Sequence, residues 1–179
     1  MLINLILYAG FAGVTVSLGG ILANVFNHHM PESPVKYEIT HGMMSFGSGI
    51  ILSALALVLI PKGMEQLEVI PMALTFLLGA VLFMLSDSYL AKMGGKNAML
   101  LAMMMDFVPE SIALGAVFSV EPASASLLAI FIGLQNLPEA FNAFRDLVQS
   151  GFKAKKAHII FFFLSFSGIA AALIGHFIL

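Results

Sequence analysis

The chain contains no cysteine, which excludes disulfides and any metal site built on thiolates. Charge is scarce too: Asp, Glu, Lys and Arg together make up 10% of the 179 residues, against about 25% in an average soluble domain. The N-terminal segment has neither a basic leader nor a small-residue cleavage site, so it reads as a retained helix and not as a signal peptide. Imidazole is sparse as well. The histidines near apolar segments are His41, His158 and His176, and the pattern puts all three at segment ends.

What is present is apolar. The composition is 60% hydrophobic with a mean hydropathy of +1.00, and runs of about 20 apolar residues are long enough to cross a bilayer as helices. They predict spans near 2–26, 41–61, 71–90, 97–120, 124–147 and 157–179. The expected fold class is therefore all-α, a polytopic integral membrane bundle forming one transmembrane domain over 1–179, with no room for a soluble domain.

The few basic residues are unevenly placed. Lys36, Lys92, Lys96, Arg145, Lys153, Lys155 and Lys156 fall on or near alternate loops, and only Lys62 falls on the others. The positive-inside rule then predicts the N-terminus and the loops near 62–70 and 121–123 outside the cytoplasm.

Small residues mark the first two spans: Gly10, Gly13, Ser17, Gly19 and Gly20 in one, Gly42, Gly47, Ser48 and Gly49 in the other. They predict close helix packing, a surface that a moving interface would also need. The 27–34 stretch, with its two prolines, reads as a turn. Its His28, His29 and Glu32 are either a metal-catching mouth or an ordinary polar loop. Glu65 and Glu68 on the opposite face, and Asp87 near Lys92, have solvated or capping readings beside functional ones. The run Met103-Met104-Met105 invites a soft-metal reading, but three consecutive residues cannot share a helix face, and packing is the simpler account.

The chemistry concentrates in two stretches, Asp106-Phe-Val-Pro-Glu110 and Gln135-Asn-Leu-Pro-Glu139. Each places Pro and carboxyl groups at the middle of an apolar span, where ionisable residues are expensive and survive mainly by facing a partner, an ion or a water path. In each, an i, i+4 pair stacks on one helix face, Asp106 with Glu110 and Gln135 with Glu139, with Asn136 and Asn142 nearby. Each proline also frees the carbonyl four residues back, at Met105 and Leu134. Two such helices side by side would form an oxygen-rich cation site. The bland alternative is a set of protonated carboxyls acting as interhelical glue, and a proton relay is a third reading.

At these residues the sequence resembles the ZIP (Zrt/Irt-like) family of divalent-metal transporters, bacterial type. Asp106-Phe-Val-Pro-Glu-Ser-Ile-Ala-Leu-Gly115 is similar to the family's His-Asn-Phe-Pro-Glu-Gly-Leu-Ala-Ile-Gly, and Gly133-Leu-Gln-Asn-Leu-Pro-Glu139 to its fifth-helix form. Val58-Leu-Ile-Pro61 and Ser165-Phe-Ser-Gly168 with Gly175 resemble the family's second and sixth helices. The resemblance implies that Asp106, Glu110, Gln135, Asn136 and Glu139 hold a transported metal, with Asn136 at a second-site position.

The departures are specific. Asp106 stands where the family has His, Phe107 where it has Asn, Val58 where it has His, and a Glu expected on the sixth helix falls near Ala171. One main oxygen-only site is expected in place of a binuclear centre, suiting Mn²⁺ or Fe²⁺ at least as well as Zn²⁺ or Cd²⁺.

The resemblance further implies an eight-helix fold, of which six helices are seen, so that the sequence reads as a fragment or as a shortened relative that completes its bundle by association. It implies residence in a bacterial or archaeal cytoplasmic membrane, the transported divalent cation as the one metal with no prosthetic group, the lipid bilayer as a partner, a homodimer as a compatible state, and no nucleic acid. No enzymatic activity is expected. The rival readings are a non-transporting, metal-binding membrane scaffold or regulator and an intramembrane metalloenzyme, the latter disfavoured by the missing imidazoles.

Overall fold

The computed structural model describes residues 2–179. They form six spans: α1 (Leu2–His29); a second span made of α2 (Pro34–Ala54), a π turn (Leu55–Leu59) and α3 (Ile60–Gln66); then α4 (Val69–Met93), α5 (Gly95–Val120), α6 (Pro122–Gln149) and α7 (Ala154–Ile178). All six spans are long and apolar enough to cross a membrane. This is the all-helical membrane architecture that the hydropathy predicts; the described residues form six such spans, not eight.

Each apolar run falls on a helix, and all but the last, which passes the end of α7 by one residue, lie inside a longer one. The largest difference is in the second span, which begins at Pro34 and not near 41. Ser33 is its N-cap, its Oγ accepting from the Lys36 backbone N–H at 3.2 Å, and Pro34 occupies the first turn where its missing N–H costs nothing. The turn thus shrinks to residues 30–33, and His41 lies two turns inside a helix, its Nδ1 3.0 Å from the Tyr37 carbonyl oxygen. Between α4 and α5 the chain reverses at Gly94 and Gly95, with φ of +60° and +71°, a region that suits glycine alone.

The packed core is formed by α1, α5, α6 and α7. Its large buried side chains include Phe107, Phe118, Phe144, Phe161 and Leu5, and its closest approaches are backbone to backbone. A Cβ on Gly13 would strike the Ser165 carbonyl, and one on Gly19 the Leu137 carbonyl. Gly13, Gly19 and Gly20 of α1 therefore close an interface, whereas a Cβ on Gly10 would meet only Ile169 Cδ1 at 4.0 Å, and Ser17 adds a 2.8 Å hydroxyl–hydroxyl bond to Ser165. The glycines of α2 close one only in part: Gly47 meets Pro138 Cγ at 3.2 Å, while Gly42 and Gly49 have nothing within 4 Å. α2 lies on the outer face of α6, and α4 is peripheral, with Leu90 as its one buried residue.

Alternate turns share a face. Lys62 Nζ lies 2.5 Å from both Glu65 and Glu121, tying the end of the second span to the α5–α6 turn. The Lys62 ammonium and the Ser124 hydroxyl hold the Glu121 carboxyl below its ordinary value of 4.5. A depressed carboxyl contributes stability that is complete above the unfolded value and lost as pH falls through the folded one. Lys62→Gln is therefore expected to lose a small stability increment near neutral pH that vanishes in acid below about pH 4. Thermal melts of both proteins from pH 7 to pH 3 measure it: a gap that does not narrow would remove the pair as its source.

Candidate functional site

A single residue, Glu121, separates α5 from α6, so the two helices return antiparallel, with each α6 residue of a facing pair three positions further from Glu121 than its α5 partner. Pro109 and Pro138 lie inside these helices without interrupting either. The register brings Glu110 to Gln135: the Gln135 side-chain amide donates to Glu110 Oε1. One helical turn further from Glu121, Asp106 and Glu139 line one cavity of about 250 Å³, close enough for their carboxyl charges to interact. Two carboxyl groups so placed repel unless a proton or a cation stands between them.

Four of the five sequence-predicted residues therefore converge, as two rungs and not as one shell. A rise of 1.5 Å per residue separates the rungs by about 6 Å. Among the described residues no three His, Cys, Asp or Glu side chains come close enough to hold a metal together, which agrees with rungs of two. Gln135 is 2% exposed, and the second oxygen of Glu110 is buried without a hydrogen-bond partner. An orphaned carboxylate oxygen is costly at this depth, so it marks where a cation or a proton would bind.

Asn136, the fifth predicted residue, is turned elsewhere. Its Nδ2 donates to the Ala12 carbonyl on α1 at 3.0 Å, and the residue is 1% exposed. Successive residues on a helix lie about 100° apart, so Gln135 and Asn136 cannot both face α5.

The remaining sequence candidates disperse. Glu32 pairs with Lys36 at 2.7 Å, and His29 Nδ1 lies 2.9 Å from the Val25 carbonyl oxygen of its own helix, so these two side chains are engaged in local bonds. Asp87 makes no ion pair with Lys92 among the described residues but lies close enough to Asp106 for their charges to interact. Met103 is buried and Met104 is 41% exposed, as packing of consecutive residues requires.

Cavities run along the rungs. A void of about 30 Å³ beside Glu110 and Gln135 is bounded by Leu59, Leu128 and Ile132. A larger one, about 210 Å³, reaches from Gln135 past Glu139 to Asn142 and is walled by Met43, Met44 and Ser48 of α2. Asn142 also lines a third cavity, about 270 Å³, near the 30–33 turn. The cavities between Gln135 and the face carrying most of the basic residues are walled by polar and apolar side chains together, and the void beyond Glu110 by Leu59, Leu128 and Ile132.

Sequence reasoning missed Arg145, counted only as a loop charge, which is 8% exposed on α6. Phe141 one turn before it is the one local signal, since its ring lies 5.8 Å from the guanidinium carbon. Comparison with family models, with curated proteins and with solved structures returned no match.

Proposed function

We infer that the chain carries a divalent cation, of the zinc, manganese, iron or cadmium class, across the cytoplasmic membrane by alternating access, as the ZIP transporters that its motifs resemble do. The observation that supports this reading best is the orphaned, buried Glu110 oxygen beside Gln135, one helical turn from the Asp106–Glu139 pair. A divalent ion arriving at either rung would supply the positive charge that it lacks, displacing the shared proton at the Asp106–Glu139 rung. The cation would step between rungs while the α1–α5–α6–α7 core rocks against the second span. No covalent bond is made or broken, and oxygen-only ligands suit hard ions. The charge asymmetry supports an N-terminus outside the cytoplasm.

A second reading, a metal-binding scaffold or regulator that does not transport, draws on the absence of a three-ligand cluster among the described residues. Flux of Mn²⁺ and Zn²⁺ into proteoliposomes separates the two. Asp106→Ala and Glu139→Ala are each expected to lower flux at least about tenfold, the scale of lost metal affinity when a supporting ligand contact is removed. Unchanged flux in both would sink the assigned rung, and saturable metal binding without flux in the unaltered chain would favour the scaffold.

A further inference from the structure

Of the charges on the 270 Å³ cavity between α2 and α6, Lys36, Arg145 and Glu32 stand apart from the cation site, while Asp146 also lines the cavity beside Asp106 and Glu139. The α2–α6 cavity lies on the face bearing Lys92, Lys96, Lys153, Lys155 and Lys156, and is lined by Lys36, Arg145, Glu32 and Asp146, with Tyr37 and Met44 on its α2 side. Two of these are buried cations: Lys36 is 4% exposed and Arg145 8%.

A buried charge costs several kcal/mol unless it is paired. Arg145 makes no ion pair among the described residues. Its Nε donates to Asn27 Oδ1 at 3.1 Å and its Nη1 to Thr40 Oγ1 at 2.6 Å, and the rings of Phe26 and Phe141 lie 5.9 and 5.8 Å from its centre. A guanidinium has five N–H donors, and neither of these bonds uses Nη2. Lys36 Nζ meets Glu32 at 2.7 Å and the Met30 carbonyl at 3.0 Å, but the Glu32 side chain is 82% exposed, leaving a rim carboxylate over a buried ammonium. Lys36, and at longer range Arg145, hold the Glu32 carboxyl below its ordinary value of 4.5, so this rim stays anionic at neutral pH. Asp146, also exposed, lies within the field of Arg145.

The cavity thus has a cationic floor and an anionic rim, two charges of each sign. We propose that it holds the headgroup of an aminophospholipid, the phosphodiester on Arg145 and Lys36 and the primary ammonium against Asp146 and Glu32. Charge complementarity selects a zwitterion: a purely anionic headgroup would compete with Glu32 for Lys36 and leave Asp146 without a cation. A bilayer lipid is favoured over free phosphate because the α2 side continues into exposed Tyr37 (62%) and Met44 (53%), an aromatic and a flexible apolar side chain suited to the interfacial zone of a membrane. The proposal is independent of transport, since it concerns lipid retention and not flux.

The test is native mass spectrometry of the full chain, released from micelles that contain equal phosphatidylethanolamine and phosphatidylglycerol. One phosphatidylethanolamine is expected to be retained in preference. Arg145→Gln is expected to weaken retention by about tenfold or more, the equivalent of one charge-assisted hydrogen bond. Asp146→Asn, a change at an exposed position, decides the matter even if Arg145→Gln does not fold: it leaves the cavity net positive and is expected to reverse the preference toward phosphatidylglycerol. Preferential retention of phosphatidylglycerol by the unaltered chain, an unchanged preference in Asp146→Asn, or displacement of the lipid by millimolar inorganic phosphate would each overturn the proposal.

Discussion

Gly115→Ala and Gly175→Ala are each expected to destabilise the protein by about 2–3 kcal/mol, the upper range for overpacking. The two glycines form a reciprocal contact between α5 and α7. A Cβ at Gly115 would land on the Ala172 carbonyl, and one at Gly175 on the Ile112 carbonyl. Both obstacles are backbone, so no side chain can swing aside and the helices themselves must part. Once they part for one methyl group, part of the room for the second has been made. The double variant should therefore cost less than the sum of the singles, as expected for residues in contact.

Gly42→Ala and Gly79→Ala are the controls. Neither added Cβ would find an atom within 4 Å, and alanine is the better helix former by up to about 1 kcal/mol. Reversible unfolding in mixed micelles measures all five proteins. Equal stability of Gly115→Ala and Gly79→Ala would mean that α5 and α7 are not in this register.

Glu110 carries the second large expectation. Glu110→Gln removes the charge but keeps an oxygen and the shape, and its amide can still bond Gln135, so stability should hold while cation flux falls by about tenfold or more. Glu110→Ala should lose both, because the buried Gln135 amide is left without its acceptor, at about 1–3 kcal/mol. The double exchange Glu110→Gln with Gln135→Glu restores one carboxyl and one amide to the rung with their helices swapped, and is expected to recover most of the flux. Flux and binding that survive Glu110→Gln would assign that carboxyl to helix packing.

The sequence made the rungs legible because i, i+4 spacing on two successive helices survives an antiparallel turn: a register that brings Glu110 to Gln135 also brings Asp106 to Glu139. Asn136 stands off the rungs for a related geometric reason. A residue adjacent to Gln135 is rotated away from α5, and only the position of α1 reveals that the Ala12 carbonyl awaits it. The start of the second span was hidden because hydropathy registers the lipid-crossing part of a helix and not its polar first turns, although Ser33-Pro34 carried a capping signal. Arg145 was illegible for another reason. Its burial depends on Asn27, Thr40 and Phe26 arriving from α1 and α2, contacts that no local pattern encodes.

The π turn at Leu55–Leu59 bears on how this span tolerates insertions and deletions. A wider turn accommodates one residue more than an α-helix would, so the sequence periodicity of the halves before and after it is offset by about 100° while each half keeps its own face. Removing any one residue between Leu55 and Leu59 would let the helix run through as a regular α-helix, with Lys62 still toward Glu121 and the amphipathic order of α2 intact. The segment is a one-residue buffer: a single deletion there is absorbed without changing which neighbours α3 faces or the lining that α2 gives to the cavities beside Gln135.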